Sequence, residues 1–66
     1  MNKIKGYRNM LGLTQEELGK KLGISKQSYY NKETGKTSFS DNEKIMFKTL
    51  LQPLFPEITL EEIFFS

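Results

Sequence analysis

Apolar positions along this 66-residue chain recur at intervals of three and four, broken at short spacing by hydroxyl caps and glycines. Ile4, Tyr7 and Leu11 share one face of a first helix, which Gly12 ends. Thr14 and Glu17 have the spacing of a capping box, in which a hydroxyl takes an orphan amide and a carboxylate reaches back to the cap. This predicts a second helix over 15–22, burying Leu18 and Leu22 and closed by Gly23 in the left-handed conformation. Ser25 is the cap of a third helix running to Lys32 or Glu33, with Thr34-Gly35 ending it and Tyr29 beneath it in the core. Ser40 and Glu43 repeat the capping box ahead of a fourth helix over 41–51. Its apolar positions Ile45, Met46 and Leu50, with Phe47 a further candidate, are expected to complete the core. Pro53 and Pro56 block continuation, and Thr59 with Glu62 then caps a last helical turn carrying Ile63, Phe64 and Phe65. The expected fold class is all-α, a compact five-helix bundle without a strand.

Sixty-six residues allow one domain, spanning 1–66, and one small core. Such a chain buries only about 60% of its unfolded surface, so it needs tight packing or association. The chain has no cysteine and no histidine. Disulfides and thiolate zinc sites are therefore excluded, as are the commonest metal ligand and the commonest general base. Only carboxylates are left for catalysis or metal binding; an enzyme is not expected and no cofactor is implied. No apolar run has the length of a membrane span and no basic-plus-apolar start marks a leader, so a cytoplasmic protein with no membrane contact is expected.

The net charge of +2 conceals an asymmetry. Residues 1–36 hold eight Lys/Arg against three Glu, a balance of +5, whereas residues 37–66 hold Lys44 and Lys48 against five acids, a balance of −3. A basic half suggests a surface that faces phosphate, although a charge run by itself more often marks only a solvated face.

The segment 13–36, LTQEELGKKLGISKQSYYNKETGK, joins the second and third helices through a glycine turn. The outward face of its third helix carries Lys26, Gln27, Tyr30 and Asn31. Amide and cationic side chains one turn apart can hydrogen-bond base edges in a major groove. The segment resembles the helix-turn-helix of the Cro/CI-type (XRE) family of phage and bacterial transcription regulators. The resemblance implies a lambda-repressor-like DNA-binding fold whose helix-turn-helix spans about 14–33 and whose third helix enters operator DNA. On that basis Lys26, Gln27 and Asn31 match base-reading positions, and Ser28 matches a phosphate or base-edge contact beside the cap Ser25. Gln15 matches a phosphate clamp at a helix N-terminus, Lys36 a second phosphate contact and Ser38 a weaker one, while Tyr30 points outward for a sugar or thymine-methyl contact. Gly19 stands where relatives usually carry alanine, for close approach of the two helices, and Arg8 with Glu33 matches an ion pair that locks the first helix to the third. Lys32 departs from the family, which usually has an apolar or aromatic residue there.

The ending PLFPEITLEEIFF resembles that of small Cro-like regulators of temperate phages or prophages of Gram-positive bacteria. It implies that 53–66 supplies an interface, with Leu60, Ile63 and Phe64 turned inward or shared and Phe65 beside a second subunit. Two functions follow from the resemblance: a homodimeric repressor occupying double-stranded operator DNA in the bacterial nucleoid, or a modulator that complexes with a partner phage repressor.

Overall fold

The computed structural model describes residues 2–65; of the expected 1–66 unit, Met1 and Ser66 lie outside the described residues. Five helices follow in order: α1 Lys3–Leu11, α2 Gln15–Lys21, α3 Lys26–Glu33, α4 Asp41–Leu51 and α5 Leu60–Phe64. Among the described residues there is no strand. The three predicted capping boxes form as expected. Thr14, Ser40 and Thr59 each accept from the amide three residues on, while Glu17, Glu43 and Glu62 return a carboxylate to the cap amide. Each box satisfies two amides that a helix N-terminus would otherwise leave unpaired. The second helix ends one residue before its expected limit, because Leu22 serves as its C-cap.

Leu18, Leu22, Tyr29, Phe39, Phe47, Leu51, Ile58 and Ile63 make the buried core. Phe39 is its hinge piece: its ring lies edge-on to Tyr29 and Phe47, both with centroids 6.1 Å away, and 5.4 Å from Phe64. Edge-to-face rings of this kind add to the burial itself by placing positive ring edges on negative faces. Phe64 closes the cluster 5.7 Å from Phe47, and Ile63 beside it is buried.

Helix α4 corrects the expectation for its inward face. Ile45 is 53% exposed and Met46 38%, whereas Phe47 and Leu51 are fully covered and Glu43 is buried with them. Residues 43, 47 and 51 lie on one stripe at helical spacing, and Ile45 falls nearly opposite. Apolar side chains at 45, 46, 47, 50 and 51 surround most of this helix, so periodicity alone had no phase to select. Glu43, the capping-box acid, sits on the inward stripe. It is tolerated inside because Ser40 donates its backbone amide to it at 2.8 Å and Lys32 donates Nζ at 2.5 Å. Two core residues, Phe39 and Ile58, had no place in the helical pattern because both sit in connecting segments.

Candidate nucleic-acid interface

Helices α2 and α3 pack against each other through Gly19. A Cβ built on it would stand 3.1 Å from the Ile24 carbonyl oxygen and 3.3 Å from that of Ser25, closer than side chains normally come to backbone. The absent side chain thus sets the spacing of the two helices, at a cost of about 1 kcal/mol of helix propensity relative to alanine. Between them Gly23 takes φ +76°. Its amide donates to the Lys20 carbonyl at 3.1 Å, and the Ile24 amide donates to that of Gly19 at 2.9 Å. This pair of bonds is a Schellman closure, which needs the left-handed residue that glycine adopts without strain.

The inner side of α3 is anchored by one acid. Glu33, 5% exposed, accepts from Arg8 Nε at 2.8 Å and Arg8 Nη2 at 3.3 Å, from Gln15 Nε2 at 3.0 Å and from the Tyr29 hydroxyl at 2.7 Å. The expected Arg8–Glu33 pair therefore exists, and it is the centre of a larger network tying α1, α2 and α3 together. Arg8 also donates Nη1 to the Leu13 carbonyl at 3.0 Å, fixing the chain that enters α2. Burial works against charge on Glu33, but the hydrogen bonds from Arg8, Tyr29 and Gln15 outweigh it and hold the carboxyl below its ordinary range. The same hydrogen bond to Glu33 raises the Arg8 guanidinium further above its ordinary value. Burial, and then the neighbouring carboxylate, pushes the Tyr29 hydroxyl far above the usual tyrosine range.

Lys32 adds a second anchor. Its Nζ meets Glu43 Oε1 at 2.5 Å, with both side chains at least four-fifths covered, so it joins α3 to the first turn of α4. Burial alone would raise the Glu43 carboxyl, but bonds from Lys32 and the Ser40 amide leave it below the ordinary range. The replacement of an apolar residue by Lys32, which stood out in the sequence, is thus matched by a buried acid on the facing helix.

With Tyr29 and Glu33 inside, the opposite side of α3 is left to solvent. Gln27 is exposed there with Asn31 half-buried beside it, Tyr30 on the flank retains 47% of its surface, and Lys26, in line with Tyr29 and Glu33 but at the first residue of the helix, is exposed as well. Ser25 is exposed at the cap and accepts from the Ser28 amide at 3.1 Å; Ser28 itself is half-buried. Lys36 stands at the far end. Its amide donates to the Asn31 carbonyl at 2.8 Å, with the Gly35 amide on Lys32 at 3.2 Å, so a second Schellman closure fixes where this lysine leaves the helix. Five of the eight expected contact residues, Ser25, Lys26, Gln27, Tyr30 and Lys36, are therefore exposed along α3 and off its end, with Ser28 and Asn31 half-buried among them. Gln15 is placed differently: it begins α2, but its side chain turns into the Glu33 network. That use of the Gln15 amide is what sequence reasoning missed, since nothing local distinguishes a phosphate ligand from a partner for a distant acid.

Two short helices held at a glycine turn, the second rigidly backed and bare outside, define a helix-turn-helix protein. The chain belongs to the helix-turn-helix family, whose model matches residues 4–43, from the first turn of α1 into α4. It is 41% identical over 63 residues to an uncharacterised HTH-type transcriptional regulator of Methanocaldococcus jannaschii, a match covering 96% of this chain and 88% of that protein. No solved structure matches the chain. Among the described residues no helix is long and apolar enough to cross a membrane.

Proposed function

We propose that the protein is a sequence-specific DNA-binding transcriptional regulator that inserts α3 into the major groove of operator DNA. The observation that carries this reading is the division of α3 into a buried, hydrogen-bonded side and an open side carrying two amides, with an exposed lysine at its first residue. A groove about 12 Å wide admits a helix, and rigid backing keeps its outer side chains in register with base edges. Gln27 and Asn31 are the base readers, Lys26 reaches guanine or phosphate, and Tyr30 lies against sugar or a thymine methyl. Ser25, Ser28 and Lys36 contact the backbone. Since one Gln15 Nε2 hydrogen is committed to Glu33, its phosphate contact falls to its main-chain amide and the remaining side-chain hydrogen.

The segment after α4 supports association. Leu54, Phe55 and Phe65 keep 50%, 38% and 65% of their surface, which is much apolar area to leave in water on so small a molecule. A homodimeric Cro-like repressor of a temperate phage or prophage, at work in the cytoplasm on the host nucleoid, is the form that agrees with the resemblance of the tail. The second reading is a modulator that uses the same apolar segment to complex with a partner phage repressor. Both are separated by light scattering of the protein alone and with such a repressor, followed by selection of binding sites from random-sequence DNA. A homodimeric reader enriches two half-sites about 34 Å apart, one turn of duplex. A monomer that enriches no sequence until a partner repressor is added supports the modulator instead.

A further inference from the structure

On the open side of α3 the two amide side chains are bonded to each other. Gln27 donates Nε2 to Asn31 Oδ1 at 3.2 Å, one helical turn away. The two residues differ in how firmly they are held. Gln27 is exposed, whereas Asn31 is half-buried and its own carbonyl receives the amides of Lys36 at 2.8 Å and Thr37 at 3.1 Å. The backbone under Asn31 is thus pinned by the closure of the helix, and the Asn31 side chain in turn orients Gln27.

The hydrogen-bond inventory of the pair is unequal. A primary amide has two N–H donors and one oxygen with two lone pairs. Gln27 spends one N–H and keeps the other together with its free oxygen, the combination that adenine N7 and N6 accept and donate to. Asn31 has one of its two oxygen lone pairs taken by Gln27 and keeps both Nδ2 donors, so its donors outnumber its remaining acceptor position toward a base. Donors find acceptors on guanine at O6 and N7 and on thymine at O4, whereas adenine sets an N6 amine beside its N7 acceptor and cytosine offers only its N4 amine.

Resting on the DNA-reading function proposed above, we infer that Gln27 and Asn31 read two neighbouring base pairs as one unit. Gln27 takes adenine, and Asn31, with its oxygen engaged by Gln27, selects a base bearing an acceptor without a neighbouring amine, guanine or thymine. The preference at the base pair under Asn31 is then set partly by a residue that does not touch it.

The test is selection from random-sequence duplexes with the full chain and with Q27A, Q27E, N31A and the Q27A/N31A double variant, then titration on the selected site. These side chains lie on the open face of the helix, and far-UV circular dichroism checks that each variant folds. Each alanine is expected to weaken the selected site roughly 5- to 150-fold. The double variant should fall within a few-fold of the weaker single one, well short of the product. Gln27→Glu has no donor for Asn31, so the Asn31 amide turns to donate to it and presents its oxygen outward. The base pair under Asn31 should then shift toward cytosine or adenine, which offer an amine. Losses that multiply, with each substitution changing only its own base pair, would overturn the coupling and leave the DNA-reading function intact. If the unaltered chain enriches no sequence and neither alanine changes affinity, both the coupling and the function beneath it are wrong.

Discussion

Replacing Glu33 by glutamine should bring folded and unfolded populations to comparable size at 25 °C, although the two side chains have nearly the same shape. The Glu33 side chain is only 2% exposed, its partner Arg8 11%, and three residues on three helices aim four donor contacts at one carboxylate. Glutamine keeps a single oxygen and points an NH2 at groups that are themselves donors. Either the Arg8 and Tyr29 side or the Arg8 and Gln15 side then loses its acceptor, and the guanidinium loses its counter-charge. Removing one member of a buried ion pair costs about 3–5 kcal/mol, because the other charge stays inside unpaired. A domain of this size has only about 3–5 kcal/mol of net stability to lose. Tyr29→Phe is the calibrating variant. It removes one hydrogen bond to a charged acceptor, while Arg8 and Gln15 still serve Glu33, so it should cost about 1.5–3 kcal/mol. Urea melts followed by far-UV circular dichroism at pH 7 give both values. Arg8→Met combined with Glu33→Leu should recover much of the loss, since no buried charge remains. A Glu33→Gln protein within about 1 kcal/mol of the parent, or a double variant no better than Glu33→Gln, would refute the view that this network holds the three helices together.

Acid should act through the same groups. Glu33 and Glu43 have folded-state carboxyls below their ordinary range, so the stability they supply is present above the unfolded value of about 4.3 and lost as pH falls through the folded values. Melting temperature should be nearly level from pH 7 to 5 and drop below about pH 4; a drop already complete by pH 5 would contradict it. Tyr29 works in the opposite sense, its raised hydroxyl favouring the fold below an unfolded value of about 10 and less as pH climbs toward the folded one, which alkaline melts test. Lys36→Ala should weaken selected and random DNA comparably and flatten the salt dependence by about one unit, as measured by titration at several salt concentrations. Phe65→Glu should weaken self-association or partner association in light scattering more than it lowers the melting temperature, because the ring is 65% exposed and its close neighbour is the Lys44 ammonium, 4.8 Å from its centroid; the reverse ranking would make Phe65 a stability residue.

The helix boundaries were legible because the signals that set them are local. A hydroxyl three residues before a glutamate and a glycine able to take positive φ act within a few bonds of the chain, and each one formed where the sequence put it. The open side of α3 was legible for a related reason. Tyr29 and Glu33 are one turn apart, and once they are inward Gln27 and Asn31 fall on the far side by helical geometry, whereas Lys26 lies on the inward stripe and is exposed at the first residue of the helix. The family resemblance supplied what those residues would meet there; their spacing alone did not.

Only the assembled structure decided which way α4 turns. Its apolar residues spread over most of its circumference, so the choice depended on what the rest of the chain offered: a lysine on α3 able to neutralise Glu43, and the rings of Phe39 and Phe64 for Phe47 to pack against. The same holds for Gln15, drawn to an acid 18 positions away, and for Phe39 and Ile58, which lie in connections and have no period to be read. Capping, turn chemistry and helical facing are properties of neighbouring residues, and the chain states them directly. Burial of a charge, the phase of an all-round apolar helix and the partner of a polar side chain are properties of two or more distant segments brought together, and they come into being only with the packed core.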